Sequence, residues 1–174
     1  MWRTHVLFGM ASLWVVSPIP NLLTNHNVGP LAAFAAFGAL LPDLDADASK
    51  IRSLSWGGVR PFVPLSTMLN RWFGHRGLLH SPIGLCIAGC AALGLTAVGY
   101  GLPALATWIG YMSHLAADAC TRTGIPGWPN NSQDRLFLLP VKWRITTGSS
   151  VEEALLPLLA LVVLGLMLSH YPPM

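Results

Sequence analysis

Every Asp, Glu, Lys and Arg of this chain falls in one of three places: Arg3, residues 43–76 and residues 118–153. Between them lie three runs without any such residue, 4–42, 77–117 and 154–174. Uncharged runs of this length lack the polar face that a water-exposed helix needs, and they are long enough for helices of about 20 residues that cross a bilayer. Composition agrees. Charged residues make up 10% of the chain, against about 25% in a soluble domain, and mean hydropathy is +0.54. The expected fold is all-α: one polytopic helical membrane domain over residues 1–174, because backbone at membrane depth must satisfy its own hydrogen bonds.

The run 77–117 holds two spans, with Gly101-Leu102-Pro103 as the break. The run from 154 holds one. The first run is divided by residues 18–27, which carry two prolines, three asparagines and a histidine and read as a turn. Its arms are short for full crossings, so they form either two tilted spans or a re-entrant hairpin. Five segments result, about 5–20, 28–42, 78–100, 103–120 and 152–170, with loops 43–77 and 121–151. When their directions alternate, all ten Lys and Arg fall on one side, which the positive-inside rule makes cytoplasmic.

The loops are rich in Gly, Pro, Ser and Trp and read as ordered surface or interfacial caps, with Trp56, Trp72, Trp128 and Trp143 suited to the headgroup layer. Arg3 and the apolar residues 6–16 have the look of a signal peptide. No A-x-A site follows, and the segment reads as retained. The basic residues are spaced along loops rather than along one helix face, which argues against nucleic acid as a partner despite a pI near 9.0. Cys86, Cys90 and Cys120 form no CxxC pair and read as small apolar side chains packed between helices.

The metal-ligand residue types gather at the cytoplasmic ends of the segments. His5 opens the first, Asp43 and Asp45 close the second, and His75 and His80 open the third. His114 and Asp118 close the fourth, and Glu152 and Glu153 open the fifth. Only His26 and His170 fall on the far side. His114 and Asp118, at i and i+4, share a helix face. His75 and His80, five apart, suit a loop-to-helix junction. Each residue alone has a bland reading as a cap, a span stop or an interhelical pair. Together, ionisable groups converging at one membrane face point to function, and imidazole with carboxylate suits zinc, manganese or iron.

The stretches THVLFG, LLPDLDADASKI, HRGLLHS, GYMSHLAADACTRTGIPGWP and TGSSVEE, in order along nearly the whole chain, resemble the YdjM-like family of bacterial inner-membrane metal-dependent hydrolases. That family is held to be distantly similar to the zinc-dependent phospholipase C and P1-type nuclease group, helical enzymes with zinc held by His, Asp and Glu. The resemblance implies His5, Asp43, His80, His114, Asp118 and Glu152 as metal ligands, with His75 either a ligand or the group that orients His80. Asp45 is either a ligand or a partner of one. Only Thr121, Arg122 and Thr123 follow where the soluble relatives have a further histidine, so one or two ions are expected rather than three.

The expected activity is hydrolysis of a phosphoester, with membrane lipid as a candidate substrate, at the cytoplasmic face of the bacterial inner membrane. Water activated by the metal would attack, and Asp43 or Asp45 would take its proton. Arg76 either clamps a phosphate or marks the membrane boundary. Two other classes compete. A metal or proton transporter would carry ionisable groups through the midplane, where this chain has only cysteines. A scaffold with a structural metal would close its site with four ligands, fewer than converge here. Oligomeric state is not readable from the sequence.

Overall fold

The computed structural model describes residues 2–46, 49–74, 76–129, 131 and 133–170, and it is mostly helical. Among the described residues seven helices follow in order: α1 Trp2–Ser12, α2 Val28–Gly38, α3 Lys50–Ser53, α4 Phe62–Phe73, α5 Pro82–Ala97, α6 Gly101–Ala119 and α7 Ser150–Leu168. Short 3-10 turns at Leu13–Val16, Pro42–Asp45 and Val141–Trp143 carry the chain between them. A two-residue antiparallel pair, β1 Ile125–Pro126 with β2 Arg135–Leu136, ties the loop after α6.

Helix α6 is the axle of the fold, and α1, α2 and α5 all pack on it. Its tightest partner is α2, through small residues. A Cβ at Gly110 would overlap the Ala35 carbonyl oxygen, and one at Gly38 would overlap that of Thr107. Only glycine lets the two backbones approach this closely, the usual device where apolar burial cannot drive helix association. Leu13, Leu31, Ala32, Ala35, Ala106 and Ile109 fill the core at one end of this crossing. Tyr111, Leu115, Ala119 and Ile125 fill it at the other.

Helices α1 and α7 pack side by side and parallel. Thr4 meets Glu152 at one end, and Trp14 meets His170 at the other. The carboxyl ends of α2 and α6 lie at the Thr4 end, as direction alternating from segment to segment requires. Among the described residues, the stretches Val28–Asp45 and Ser150–Leu168 are long and apolar enough to cross a membrane, and α5 is apolar but shorter. Along α7, Leu158, Leu161, Val162, Leu164 and Leu168 are exposed, an arrangement suited to lipid rather than water.

The structure differs from the sequence-based expectation in three places. The loop 43–77 contains α4, which packs on α3 and on the Pro42–Asp45 turn. It leaves Leu65, Met68 and Trp72 exposed on one face, the pattern of a helix lying in a membrane interface. Cys86 and Cys90 do not pack between helices: both are exposed on α5. Gly84, Leu85, Ala88 and Gly89 of α5 are among those that meet α6, and positions 86 and 90 turn outward. The first segment does not run as one helix to residue 20. It stops at Ser12 and tightens into the Leu13–Val16 turn, and α1, with 11 residues, is only about 16 Å long.

Candidate metal centre

Two turns and two helix ends build the site. After α2, Pro42 at the first position of a 3-10 turn sets its backbone, and the turn delivers Asp43 and Asp45. Asn70 of α4 holds that turn, its Nδ2 donating to the Asp45 carbonyl at 2.6 Å. Ahead of α5, Ser81 caps the helix by accepting from the Gly84 amide at 3.3 Å, with Pro82 as the first helical residue. The Tyr111 hydroxyl of α6 donates to the Leu79 carbonyl at 2.5 Å and fixes the neighbouring residue, His80. The last turns of α6 present His114 and Asp118 on one face, and the first turn of α1 adds His5.

These side chains meet inside the protein, where His80, His114, Asp45 and Asp118 are all buried. His80 Nδ1 lies 3.2 Å from Asp45 Oδ2, while its Nε2 faces Asp43 Oδ1 at 3.7 Å and Asp118 Oδ2 at 3.9 Å. His114 Nδ1 donates to the Ala39 carbonyl at 2.7 Å. That bond fixes the tautomer, so Nε2 carries the lone pair. This buried atom has no hydrogen-bond partner among the described residues and sits 3.9 Å from Asp43 Oδ1. His5 stacks on His114 with ring centroids 3.9 Å apart, and its Nε2 is 3.5 Å from Asp118 Oδ1. Arg76 Nη2 reaches Asp118 Oδ2 at 2.9 Å, and Nη1 reaches the Gly124 carbonyl at 3.5 Å.

Two groups of three have donor atoms all within 4.8 Å of one another, His5–His114–Asp118 and Asp43–His80–His114. A divalent cation fits them on three grounds. The donors are imidazole and carboxylate, the set that suits zinc. The imidazoles of His80 and His114 are each oriented through Nδ1 by a carboxylate or a carbonyl, as metal-bound histidines are. Charge supplies the third ground. Even with His80 protonated, the carboxylates of Asp43, Asp45 and Asp118 outnumber the positive charges of Arg76 and His80 by one, and a buried excess of charge is costly unless a counter-ion joins it. His114 supplies a single donor atom, Nε2, to both groups. The two triads therefore outline one ion position, or two adjacent positions of which only one takes His114.

His80 sits in the turn ahead of α5, outside the helical spans. Burial pushes its imidazole down. The nearby Asp43 carboxylate, the bond to Asp45 and the charges of Asp45 and Asp118 outweigh burial and hold it up at about 9.

The sequence-derived candidates divide by position. His5, Asp43, His80, His114 and Asp118 are brought together around one point. Asp45 stands behind His80. Arg76 stands beside Asp118. Glu152 lies outside the two groups, where its Oε1 accepts from the Thr4 hydroxyl at 2.9 Å and its Oε2 from the Gly148 amide at 2.7 Å. His75 lies outside the described residues. The Ala39 carbonyl, Asn70 and Tyr111 are positioning groups that residue type alone does not reveal. Beside the cluster, α1, α6, α7 and the loop between α6 and α7 line an open-sided cavity of about 290 Å³.

The sequence matches the family described as YdjM inner membrane protein over residues 1–172. It is 31% identical over 177 residues to the inner membrane protein YdjM of Escherichia coli (strain K12), an alignment covering 97% of this chain and 83% of the relative. The same figures hold for the inner membrane protein YdjM of Shigella flexneri. No solved structure matches. The chain belongs to the YdjM inner membrane protein family.

Proposed function

We propose that this protein is a metal-dependent hydrolase of the bacterial inner membrane, acting on a phosphoester at the cytoplasmic face. One observation carries the reading: five ligand-type side chains from four separate stretches converge, and the buried Nε2 of His114 lies among them without a hydrogen-bond partner among the described residues. The orientation rests on the lysines and arginines, all ten of which lie at the site's end of the five alternating segments.

In this mechanism His5, His80, His114 and Asp118 would hold the ion, with Asp43 beside it and free to take a proton. Asp45 and the Ala39 carbonyl keep the two imidazoles aimed at it. When bound, a divalent cation supplies Lewis acidity toward the ester oxygen and acidifies a water molecule. Asp43 is the better general base of the two candidates. Its side chain is 25% exposed and can meet water, whereas Asp45 is 1% exposed and engaged with His80. Arg76, at the rim beside Asp118, is placed to bind a phosphate oxygen through its remaining donors.

The test is hydrolysis of soluble aryl phosphomonoesters and phosphodiesters by the purified, zinc-reloaded protein. Activity abolished in Asp43→Asn, with metal retained, supports the reading. Zinc-replete protein inactive on every phosphoester tried would refute it. A second reading, a membrane scaffold whose polar cluster is structural, is favoured by the 2.9 Å Arg76–Asp118 ion pair, which already gives one ligand a partner.

A further inference from the structure

The cavity beside the cluster is graded along the membrane normal. On α1 its wall runs from Thr4 and His5 to Phe8, and on α7 from Glu152 to Leu155 and Leu159. Glu152, Leu155 and Leu159 stand at i, i+3 and i+7, one helix face about 10 Å long. The end at the helix N-termini carries Thr4, His5, Thr147 and Glu152 beside the apolar Leu139 and Ile145, and the deep end is wholly apolar. Two buried polar atoms at the polar end, His5 Nδ1 and Thr147 Oγ1, have no hydrogen-bond partner among the described residues. Asp118, with Arg76 paired to it, closes that end.

We propose that this cavity takes a single-chain amphiphile, its phosphoester head at the His5–Asp118 end and its apolar tail between α1 and α7. The head assignment deepens the hydrolase reading and rests on it. The shape supports the proposal independently. An aqueous substrate would gain nothing from Phe8, Leu155 and Leu159, whereas a tail gains their burial. The volume of about 290 Å³ lies near the lower end of ligand cavities, roughly 300–1,000 Å³, which suits one tail better than two. The outer face of α7 is exposed and apolar, so a tail enters sideways from the bilayer. A second cavity, about 560 Å³ between α2, α5 and α6 and lined by Phe34, Leu95 and Trp108, is apolar and has no ligand-type residue in its lining. It serves as the internal control.

The experiment uses the full-length protein in lipid nanodiscs, with bound zinc measured on the same sample. A lysophosphatidate carrying a diazirine in its tail is photo-crosslinked, and the sites are mapped by peptide mass. The expected result is labelling concentrated at Phe8, Leu155 and Leu159. Leu159→Trp, which fills the deep end, should cut it about tenfold (~1.4 kcal/mol) without changing zinc content or labelling of the control cavity. Leu155→Phe is the milder second variant.

A diazirine-tailed isoprenyl phosphate distinguishes an isoprenoid from an acyl occupant; cleft labelling by either supports the cleft. A diazirine alcohol without phosphate should label the cleft weakly, and equal labelling would overturn the head assignment. Labelling spread evenly over lipid-facing helices, unchanged by both variants, would overturn the tail site. Zinc-replete protein with an unlabelled cleft refutes the tail site and leaves the hydrolase reading standing. Zinc-free protein with a labelled cleft does the reverse.

Discussion

Replacing Asp45 with asparagine isolates the role of the carboxylate behind His80. The two side chains are each 1% exposed and meet at 3.2 Å, so the change removes a charge without removing volume. A carboxylate in this position orients the ring and raises its basicity as a ligand, and its loss typically weakens metal binding 10–100-fold, about 1.4–2.7 kcal/mol. Protons act in the opposite direction. In the metal-free protein His80 is held up at about 9, so at pH 7 an ion must displace a proton, and that competition fades as pH rises toward 9.

Without Asp45 that competition weakens, because one of the groups holding the proton is gone. The full 10–100-fold deficit is therefore expected at pH 9, with a smaller deficit at pH 7. The wild-type protein should bind zinc more tightly as pH rises toward 9, and the variant should level off earlier. Competition with a chromophoric chelator across this range, with helicity checked by circular dichroism, reads both effects. A deficit that is absent at pH 9, or that is the same at both pH values, would refute the reasoning.

Four further outcomes follow from the geometry. Gly110→Ala pushes a methyl into the Ala35 carbonyl and should cost about 1–3 kcal/mol or more, read as a lower thermal midpoint in detergent. Asn70→Ala removes the tie to the Asp45 carbonyl and should cost about 1–3 kcal/mol of stability, with some loss of metal as the Asp43–Asp45 turn loosens. Glu152→Gln weakens the bonds to Thr4 and Gly148 and should lower the thermal midpoint while leaving bound metal unchanged by elemental analysis; metal loss would make Glu152 a ligand. Arg76→Gln should raise KM for phosphoesters about tenfold or more, given ~1.5–3 kcal/mol for a charged hydrogen bond, and leave bound metal in place.

Much of the site is legible in the chain because charge is so sparse. With ligand-type residues placed at the ends of uncharged runs, alternation of the segments alone brings His5, Asp43, His80, His114 and Asp118 to one end. What pairwise contact decides is not legible. The family resemblance makes Asp43 a ligand and leaves Asp45 open between ligand and partner, and only the turn Pro42–Asp45 shows one facing the cluster and the other behind His80. The Ala39 carbonyl is invisible to any reading by residue type, since its role depends on the α2–α6 crossing. Helix α4 is hidden by its punctuation: Gly57, Gly58, Pro61 and Pro64 read as loop, although Pro61 and Pro64 fall at and just inside the helix start, where proline is tolerated. Glu152 looks like a sixth ligand because it opens the last segment at the right end. In the fold that end is offset from the cluster by the cavity, and Thr4 and Gly148 take both of its oxygens.

The central claim is that these side chains form one metal-binding centre. Its most direct test is the metal content of the detergent-purified protein by elemental analysis, beside a His114→Ala, Asp118→Ala double variant. The account predicts one or two equivalents of zinc, or of manganese or iron, in the native protein and near-complete loss in the variant with helicity retained. Folded native protein that holds no metal, even after reloading with each of these ions, would contradict it and leave the cluster as a polar network between helices.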